Sequence, residues 1–164
     1  MGYSSGYKAE ARAPDELITS VSWPGREANP FGTFYKLARR KGDAITVTGV
    51  AVSIGISDGR CVRARIALGS VAPIPMRARK AESLLEGQVL TPERIAAAAK
   101  AAAEECSPID DVRATGAYRR RMVEVLGGRL GENAVPAMTW GVPKMSSDKA
   151  VSYTHLTLAT SELV

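Results

Sequence analysis

One stretch, residues 61–86, constrains the fold more than any other part of the chain. Apolar and polar residues alternate from 61 to 68, and this period of two is typical of a half-buried strand. Gly69 ends the alternation, and two prolines before residue 76 then exclude both strand pairing and helix. From residue 76 the apolar residues return at helical spacing. The stretch therefore predicts a strand that turns through a stiff corner into an amphipathic helix. The apolar face of that strand is formed by Val62, Ala64, Ile66 and Leu68.

The same patterns place the other elements of the fold. Alternation predicts further strands before the corner, and helical spacing predicts further helices after it. Asp58-Gly59 is typical of a tight hairpin, and Thr91-Pro92 is typical of a helix start. We expect strands near residues 16–23, 31–37, 45–56 and 61–68, and helices near residues 76–86, 92–105 and 115–127. The predicted fold class is α+β, with an antiparallel sheet of three to four strands followed by three helices packed on one face.

The composition is that of one ordinary globular domain. The chain has 164 residues, 45% of them hydrophobic, and no apolar run approaches the roughly 18 residues of a membrane span. The first residues lack the apolar core of a signal peptide, so we expect a cytoplasmic protein without a membrane span. Cys61 and Cys106 show no paired metal-ligand spacing, and we expect them to be buried thiols.

A formal net charge of +5 leaves two interpretations open. Three basic clusters could form a nucleic-acid-binding or other basic interaction surface. Alternatively, they are solvated helix faces paired with nearby acidic residues, and no aromatic residue lies inside a cluster for base stacking. The clusters are Arg39-Arg40-Lys41, Arg77-Arg79-Lys80 and Arg119-Arg120-Arg121.

The residues give little support for a catalytic or metal site. The one histidine, His155, lies close to the end of the chain. Asp110 and Asp111 are adjacent carboxylates, which we expect to cap and charge-balance the start of the third helix rather than to act as an acid–base pair. For Arg113 and the arginines at 119–121 we expect ion pairs and contact with solvent. We therefore predict neither catalytic residues nor metal ligands.

Four motifs together resemble the C-terminal domain of the flavoprotein subunit of molybdenum hydroxylases. This family includes carbon-monoxide, nicotinate and xanthine dehydrogenases. The motifs occur in the family's order, and the resemblance extends from about Gly6 to Leu130. They are APDELITSVSWP at 13–24, FYKLARRKGDAITV at 34–47, ARIALGSVAPIPMRARKAESLLEG at 64–87 and SPIDDVRATGAYRRRMVEVL at 107–126.

The resemblance implies a domain that closes one side of an FAD site and docks subunits for electron transfer. It implies partners too: a large subunit with molybdopterin and a small subunit with iron–sulfur clusters, and no nucleic acid. The family's N-terminal domain, which holds most of the FAD, is absent from this sequence, so we expect a fragment that is inactive by itself.

The resemblance also divides the chain. Residues 1–12 are expected to be a remnant of the preceding domain or a linker, and residues 13–130 the domain itself. Helical spacing indicates that the third helix buries Tyr118, Met122, Val125 and Leu126, and glycines should weaken its end. Residues 131–164 are expected to be a tail without regular structure. Within it, residues 151–164 either resemble a translated sequencing adapter or form an ordinary strand-like tail.

Two residues are the candidate FAD contacts. Lys36 lies in the second predicted strand, on the face opposite Phe31, Thr33 and Tyr35. A lysine ammonium is a flexible point charge, and Lys36 with Arg40 fits the family's Lys-x-x-x-Arg motif, in which the lysine approaches the flavin. Ile18 corresponds to the aliphatic position that contacts the flavin through its backbone. By alternation alone, Lys36 is an ordinary exposed strand lysine.

Overall fold

The computed structural model describes residues 4–7, 9–21, 31–40 and 44–139. Within these ranges the chain forms a two-stranded sheet, a four-stranded sheet and three helices. This architecture confirms the predicted α+β class. The elements are β1 (Ser4–Gly6), β2 (Ala9–Glu10), β3 (Phe31–Ala38), β4 (Thr46–Ser57), β5 (Arg60–Gly69), β6 (Met76–Arg77), α1 (Arg79–Leu85), α2 (Pro92–Glu105) and α3 (Gly116–Thr139).

The four-stranded sheet has the strand order β3-β4-β5-β6, and every neighbouring pair is antiparallel. β4 and β5 are joined by the predicted hairpin at Asp58-Gly59, where both residues have positive φ angles, 51° and 74°. Positive φ at both central residues is the geometry of the tight turn whose twist matches that of the strands. The three strand predictions from residue 31 to residue 68 are therefore confirmed.

All three helices cover one face of this sheet, which we call the inner face. Alternate residues of β4 and β5 are buried there, including Val50, Ile54 and Leu68. Helix α2 follows the sequence expectation closely, because Thr91 accepts a hydrogen bond from the backbone of Arg94 and caps the helix. The core thus lies in a single layer between sheet and helices, as predicted.

Small residues let α2 and α3 pack closely. Ala98, Ala99 and Ala102 are buried on α2. A side-chain carbon at Gly127 would lie 3.3 Å from the Cβ atom of Ala99, and one at Gly131 would overlap Ile95. These glycines were expected to weaken the helix, but α3 continues to Thr139 because they permit this contact. The expected loss of regular structure is therefore wrong for residues 131–139, whereas residues 140–164 lie outside the described residues.

The predicted strand at 16–23 is wrong over its described part. Residues 16–21 have no regular structure, and Leu17 and Val21 are exposed. Local bonds compete with strand pairing here: the backbone N–H of Ala13 donates to the Glu16 carboxylate at 2.7 Å, and the backbone N–H of Glu16 donates to the Ala13 carbonyl at 3.1 Å. Residues 22 and 23 lie outside the described residues.

Two side-chain assignments also differ from the prediction. A β-bulge near Gly55 inserts Val62 as an extra residue in β5, so Val62 is 60% exposed and Cys61 is buried in its place. A bulge reverses the alternation, and the sequence does not show one there. Cys61 and Cys106 are both buried free thiols, as expected.

Helix α3 is rotated from the predicted orientation. Its buried side chains include Arg119, Val123, Leu126 and Leu130, whereas Tyr118 is exposed. The buried positions do follow helical spacing, but an arginine occupies the first of them. Counting only apolar residues therefore displaced the predicted face by one residue.

Helix α1 begins at Arg79 rather than at residue 76, because Met76 and Arg77 pair with β5 as a short fourth strand. Carboxylates cover the remaining edge of β5: Glu82 accepts the backbone N–H of Ile66 at 2.8 Å, and Glu86 accepts that of Ala64 at 3.1 Å. An edge covered in this way cannot pair with another strand. Among the described residues, no helix has the length and hydrophobicity to cross a membrane.

Candidate cofactor-facing sheet surface

The side of the sheet opposite the helices carries the candidate FAD contact on β3. We call this side the outer face. Small residues and cations predominate on it, whereas large aliphatic residues predominate on the inner face. Strand β4 contributes only small side chains, and the neighbouring strands contribute the charges. Its members are Gly32, Phe34, Lys36, Gly49, Ala51, Ser53, Gly55, Arg63, Arg65 and Ala67.

Lys36 lies on the outer face, as the alternation predicted. It is paired with Gly49 of β4 and is exposed. Phe34 lies on the same side, and its ring is 3.5 Å from the point where a side chain of Gly49 would begin. Within the described residues, the Lys36 ammonium has no hydrogen-bond or ion-pair partner. The strand therefore presents a cation beside the Phe34 ring, which lies over the buried Gly49.

Ile18 is not in a strand beside Lys36. It is 52% exposed and lies in the segment 16–21, which has no regular structure. The predicted strand at 16–23 would have placed both candidate FAD contacts in one sheet. The structure does not bring them together in this way. Their roles stay predictions.

A buried arginine joins α3 to the sheet near the start of β4. Arg119 is 3% exposed and donates hydrogen bonds to the carbonyl oxygens of Val47 at 2.6 Å and Ser70 at 2.9 Å. Its guanidinium also pairs with Asp111 at 2.7 Å. One side chain thus connects the beginning of α3 with the start of β4, with the residue after β5 and with the loop before α3. The sequence pattern did not identify Arg119 as a buried residue.

The two adjacent carboxylates have structural partners. Asp110 accepts the backbone N–H of Gly116, the first residue of α3. Hydrogen bonds hold the pKa of Asp111 well below its ordinary value, at about 2: the backbone N–H of Arg113 contributes most, and the Arg119 guanidinium and the Ala114 N–H contribute as well. The expectation that these carboxylates cap and charge-balance the helix start is confirmed.

A basic groove of about 550 Å³ lies where β3 ends. It is lined by Arg39, Arg40, Ile45, Val112 and Arg113. The guanidinium of Arg39 donates to the Val112 carbonyl at 3.1 Å and so joins the end of β3 to the loop before α3. The groove brings together two of the sequence motifs, although its residues are about seventy positions apart in the chain.

Most described members of the basic clusters bond to protein groups. Arg77 and Arg79 both pair with Glu82, and Arg121 pairs with Glu124 at 2.7 Å. Arg119 is buried, as described above. These contacts favour the ion-pair interpretation over a continuous basic surface for nucleic acid. Lys41 lies outside the described residues.

The sequence and the fold both resemble known flavoprotein subunits. A family model described as the CO dehydrogenase flavoprotein C-terminal domain matches residues 33–134. The chain is 39% identical over 115 residues to the nicotine 6-hydroxylase medium subunit of Paenarthrobacter nicotinovorans, which covers 70% of this chain and 39% of that protein. It is 33% identical over 132 residues to the carbon monoxide dehydrogenase medium chain of Afipia carboxidovorans, covering 80% and 46%.

Solved structures show the same similarity. A cyanide-inactivated Cu,Mo-CO dehydrogenase superimposes with a TM-score of 0.73 at 32% identity, covering 80% of this chain and 46% of that chain. A carbon monoxide dehydrogenase from Hydrogenophaga pseudoflava superimposes with a TM-score of 0.61 at 37% identity, covering 65% and 37%.

The chain spans less than half the length of each of these relatives. The family model nevertheless covers more than half of this chain and includes the basic groove and every outer-face residue except Gly32. The chain therefore belongs to the CO dehydrogenase flavoprotein C-terminal domain family.

Proposed function

We propose that this chain is the C-terminal region of the FAD subunit of a molybdenum-hydroxylase-type oxidoreductase. The family match over residues 33–134 carries the proposal. When bound, FAD supplies the redox chemistry, receiving electrons through iron–sulfur clusters of a small subunit from a substrate oxidised at the molybdopterin centre of a large subunit. The chain itself supplies position and charge, and it helps to dock the other subunits.

The outer face offers a cation and small residues beside an aromatic ring. Lys36 has no partner within the described residues, and the Phe34 ring lies over the buried Gly49, its neighbour across the ladder. Ala51 and Ser53, which are partly exposed, form a low surface along β4. A flat ring can approach such a surface closely, and an ammonium at its edge can donate a hydrogen bond to a ring oxygen. We infer that Lys36 contacts FAD and that the outer face excludes water from that side of the ring.

Ile18 is the second proposed contact, through its backbone. A backbone contact requires an unpaired amide or carbonyl group, and the segment around Ile18 has no regular structure within the described residues. We propose that this segment becomes ordered against the flavin-binding region of the full-length subunit. The contact would then depend little on the identity of the side chain.

The test is a flavin titration of the full-length subunit. In Lys36→Ala we expect a lower flavin reduction potential or weaker FAD binding, because a cation near the ring stabilises its anionic reduced form. A charged hydrogen bond is worth about 1.5–3 kcal/mol when shielded from water and less when open to it. Lys36→Arg should recover part of the effect, since a planar guanidinium does not occupy the place of an ammonium.

Lys100→Ala is the matched control, because Lys100 is an exposed lysine of α2 on the helical side of the domain. It should leave both the potential and the affinity unchanged. If Lys36→Ala behaves as this control does, Lys36 is an ordinary exposed strand residue and the proposed flavin contact is wrong.

A further inference from the structure

The ladder between β3 and β4 changes register beside Lys36. Leu37 pairs with Thr48, whereas the next residue, Ala38, pairs with Thr46, so Val47 is an extra residue in β4. Such a β-bulge disrupts the ladder locally and changes the direction of the side chains beside it. Because β3 is also an edge strand of the four-stranded sheet, its end needs contacts from outside the ladder to keep one position.

On the β4 side, the bulge is held by Arg119. The carbonyl oxygen of Val47 accepts a hydrogen bond from the Arg119 guanidinium at 2.6 Å, and both residues are buried. The same guanidinium pairs with the Asp111 carboxylate at 2.7 Å. The extra residue of β4 is therefore tied, through one side chain, to the loop before α3.

On the β3 side, Arg39 makes the tie to the same loop. Its guanidinium donates a hydrogen bond to the carbonyl oxygen of Val112 at 3.1 Å. Val112 follows Asp111 directly in the chain. The two strands beside Lys36 are thus bonded to consecutive residues of one loop.

That loop is fixed by its own hydrogen bonds. The Asp111 carboxylate accepts the backbone N–H groups of Arg113 at 2.8 Å and Ala114 at 3.1 Å. The backbone N–H of Asp111 donates to the Ala114 carbonyl at 3.1 Å. A loop with these internal bonds has few conformations available, so it can hold the strand ends that are bonded to it.

We propose that Arg39 is a positioning residue, which holds the end of β3 against the loop before α3 and so fixes the direction in which Lys36 leaves the sheet. Arg39 acts through Lys36 and does not itself contact the cofactor. A binding side chain keeps its geometry when further contacts hold the backbone that carries it. This inference depends on the proposed function, because the contact between Lys36 and FAD comes from it.

The experiment measures FAD affinity and flavin reduction potential in the full-length subunit for Arg39→Met, Lys36→Ala and the double variant. Arg39→Met retains the length of the side chain but removes the donor. It should change both quantities in the same direction as Lys36→Ala but less, with a rise of about threefold in the FAD dissociation constant. In the Lys36→Ala background, Arg39→Met should have no further effect, since Arg39 acts only through Lys36.

Two further measurements separate position from charge. Arg39→Lys retains the charge, but an ammonium offers a single hydrogen bond from a different place, so we expect it to recover only part of the loss. Amide hydrogen exchange in residues 34–40 should be faster in Arg39→Met than in the wild type, whether or not FAD is bound, because the end of β3 is then held less firmly.

Arg60→Met is the matched control. Arg60 is an exposed arginine that also donates to a backbone carbonyl, that of Gly87 at 3.2 Å. It lies beside the Asp58-Gly59 turn, at the opposite end of β4 from Lys36. Its replacement should leave FAD affinity, the reduction potential and exchange in residues 34–40 unchanged.

The outcomes distinguish this inference from the proposed function. If Arg39→Met has the same effect in both backgrounds, its charge acts on the flavin directly and the positioning role is wrong. Wild-type affinity, potential and exchange in Arg39→Met would also overturn that role, although the proposed contact of Lys36 would stand. If Lys36→Ala itself changes neither affinity nor potential, the proposed contact is wrong and the positioning role is wrong with it.

Discussion

The inner and outer faces of the sheet are built from the same strands but have opposite characters. On β4, Val50, Val52 and Ile54 are buried under the helices, whereas the alternate residues Ala51 and Ser53 are small and partly exposed. Because successive side chains of a strand point to opposite faces, the residues of one face can differ without affecting the other. Large aliphatic residues occupy the inner face, and small residues with nearby cations occupy the outer face.

The two faces are expected to contribute differently to folding stability and to binding. The inner face provides the apolar burial that drives folding. The outer face carries small residues on β4 with Phe34, Lys36 and arginines beside them, and it lies outside the apolar core. We therefore expect inner-face substitutions to change the free energy of unfolding, and outer-face substitutions to change binding alone.

The largest effect on stability is expected at Arg119, the buried charge where α3 meets the sheet. Arg119→Met retains the length of the side chain but removes the hydrogen bonds to the Val47 and Ser70 carbonyls and leaves Asp111 without its buried partner. Breaking a buried ion pair costs about 3–5 kcal/mol. Since Asp111 is partly exposed, we expect a loss of about 3 kcal/mol in urea-induced unfolding.

Arg121→Met is the matched control on the same helix. Arg121 is exposed and forms an ion pair with Glu124 one turn along. Exposed pairs of this kind contribute about 0.5 kcal/mol or less. If the free energy of unfolding falls equally in the two variants, the Arg119 hydrogen bonds do not stabilise the packing of α3 on the sheet. The packing then depends on apolar contacts alone.

A valine pair on adjacent strands compares the two faces directly. Val50→Ala removes two buried methyl groups and leaves a cavity under the helices, so we expect a loss of about 2 kcal/mol. Val62→Ala removes the same atoms from the exposed bulge of β5, and we expect a change within about 0.5 kcal/mol. Thermal or urea unfolding of both variants measures the difference. Similar losses at both positions would show that the outer side of β5 is packed against another part of the chain.

The regular parts of the fold could be predicted because their sequence patterns are local. The alternation of β4 and β5, the Asp58-Gly59 turn and the Thr91-Pro92 helix start each depend on a few neighbouring residues. The failures occurred where a distant contact decided the outcome. Arg119 is buried because carbonyl groups of the sheet accept its hydrogen bonds, and α3 extends past Leu130 because Gly131 packs against Ile95.

Only part of the candidate site could be predicted from the sequence. Alternation placed Lys36 on the face opposite Phe31, and the β3–β4 register confirms that position, although its role stays a prediction. The basic groove could not be predicted from the sequence, because Arg39 and Val112 meet only in the folded chain. Ile18 was placed in a strand by alternation, but local bonds around Glu16 compete with that strand within the described residues.

The smallest expected effect on stability comes from the Asp111 carboxylate, which pairs with Arg119. The pKa of Asp111 is about 2 in the folded chain, below its ordinary value of 3.8. As the pH falls from about 5 to 2, the unfolded chain therefore binds the proton first, and the stability that this carboxylate contributes is lost. It is fully present above about pH 5, where the unfolded chain is ionised too, and is lost as the pH falls through about 2.

Asp111→Asn tests this expectation because it removes the charge but retains an oxygen that accepts the backbone N–H groups of Arg113 and Ala114. Urea unfolding at pH 6, 4, 3 and 2 should show the variant to be less stable than the wild type at pH 6, with a difference that narrows toward pH 2. Other carboxylates titrate in both proteins, so the difference isolates this group. In an Arg119→Met background the difference should depend less on pH, because the Arg119 guanidinium is one of the groups that lower this pKa. A difference that stays constant from pH 6 to pH 2 would show that the neutral loop geometry, rather than the Asp111 charge, holds the start of α3 against the sheet.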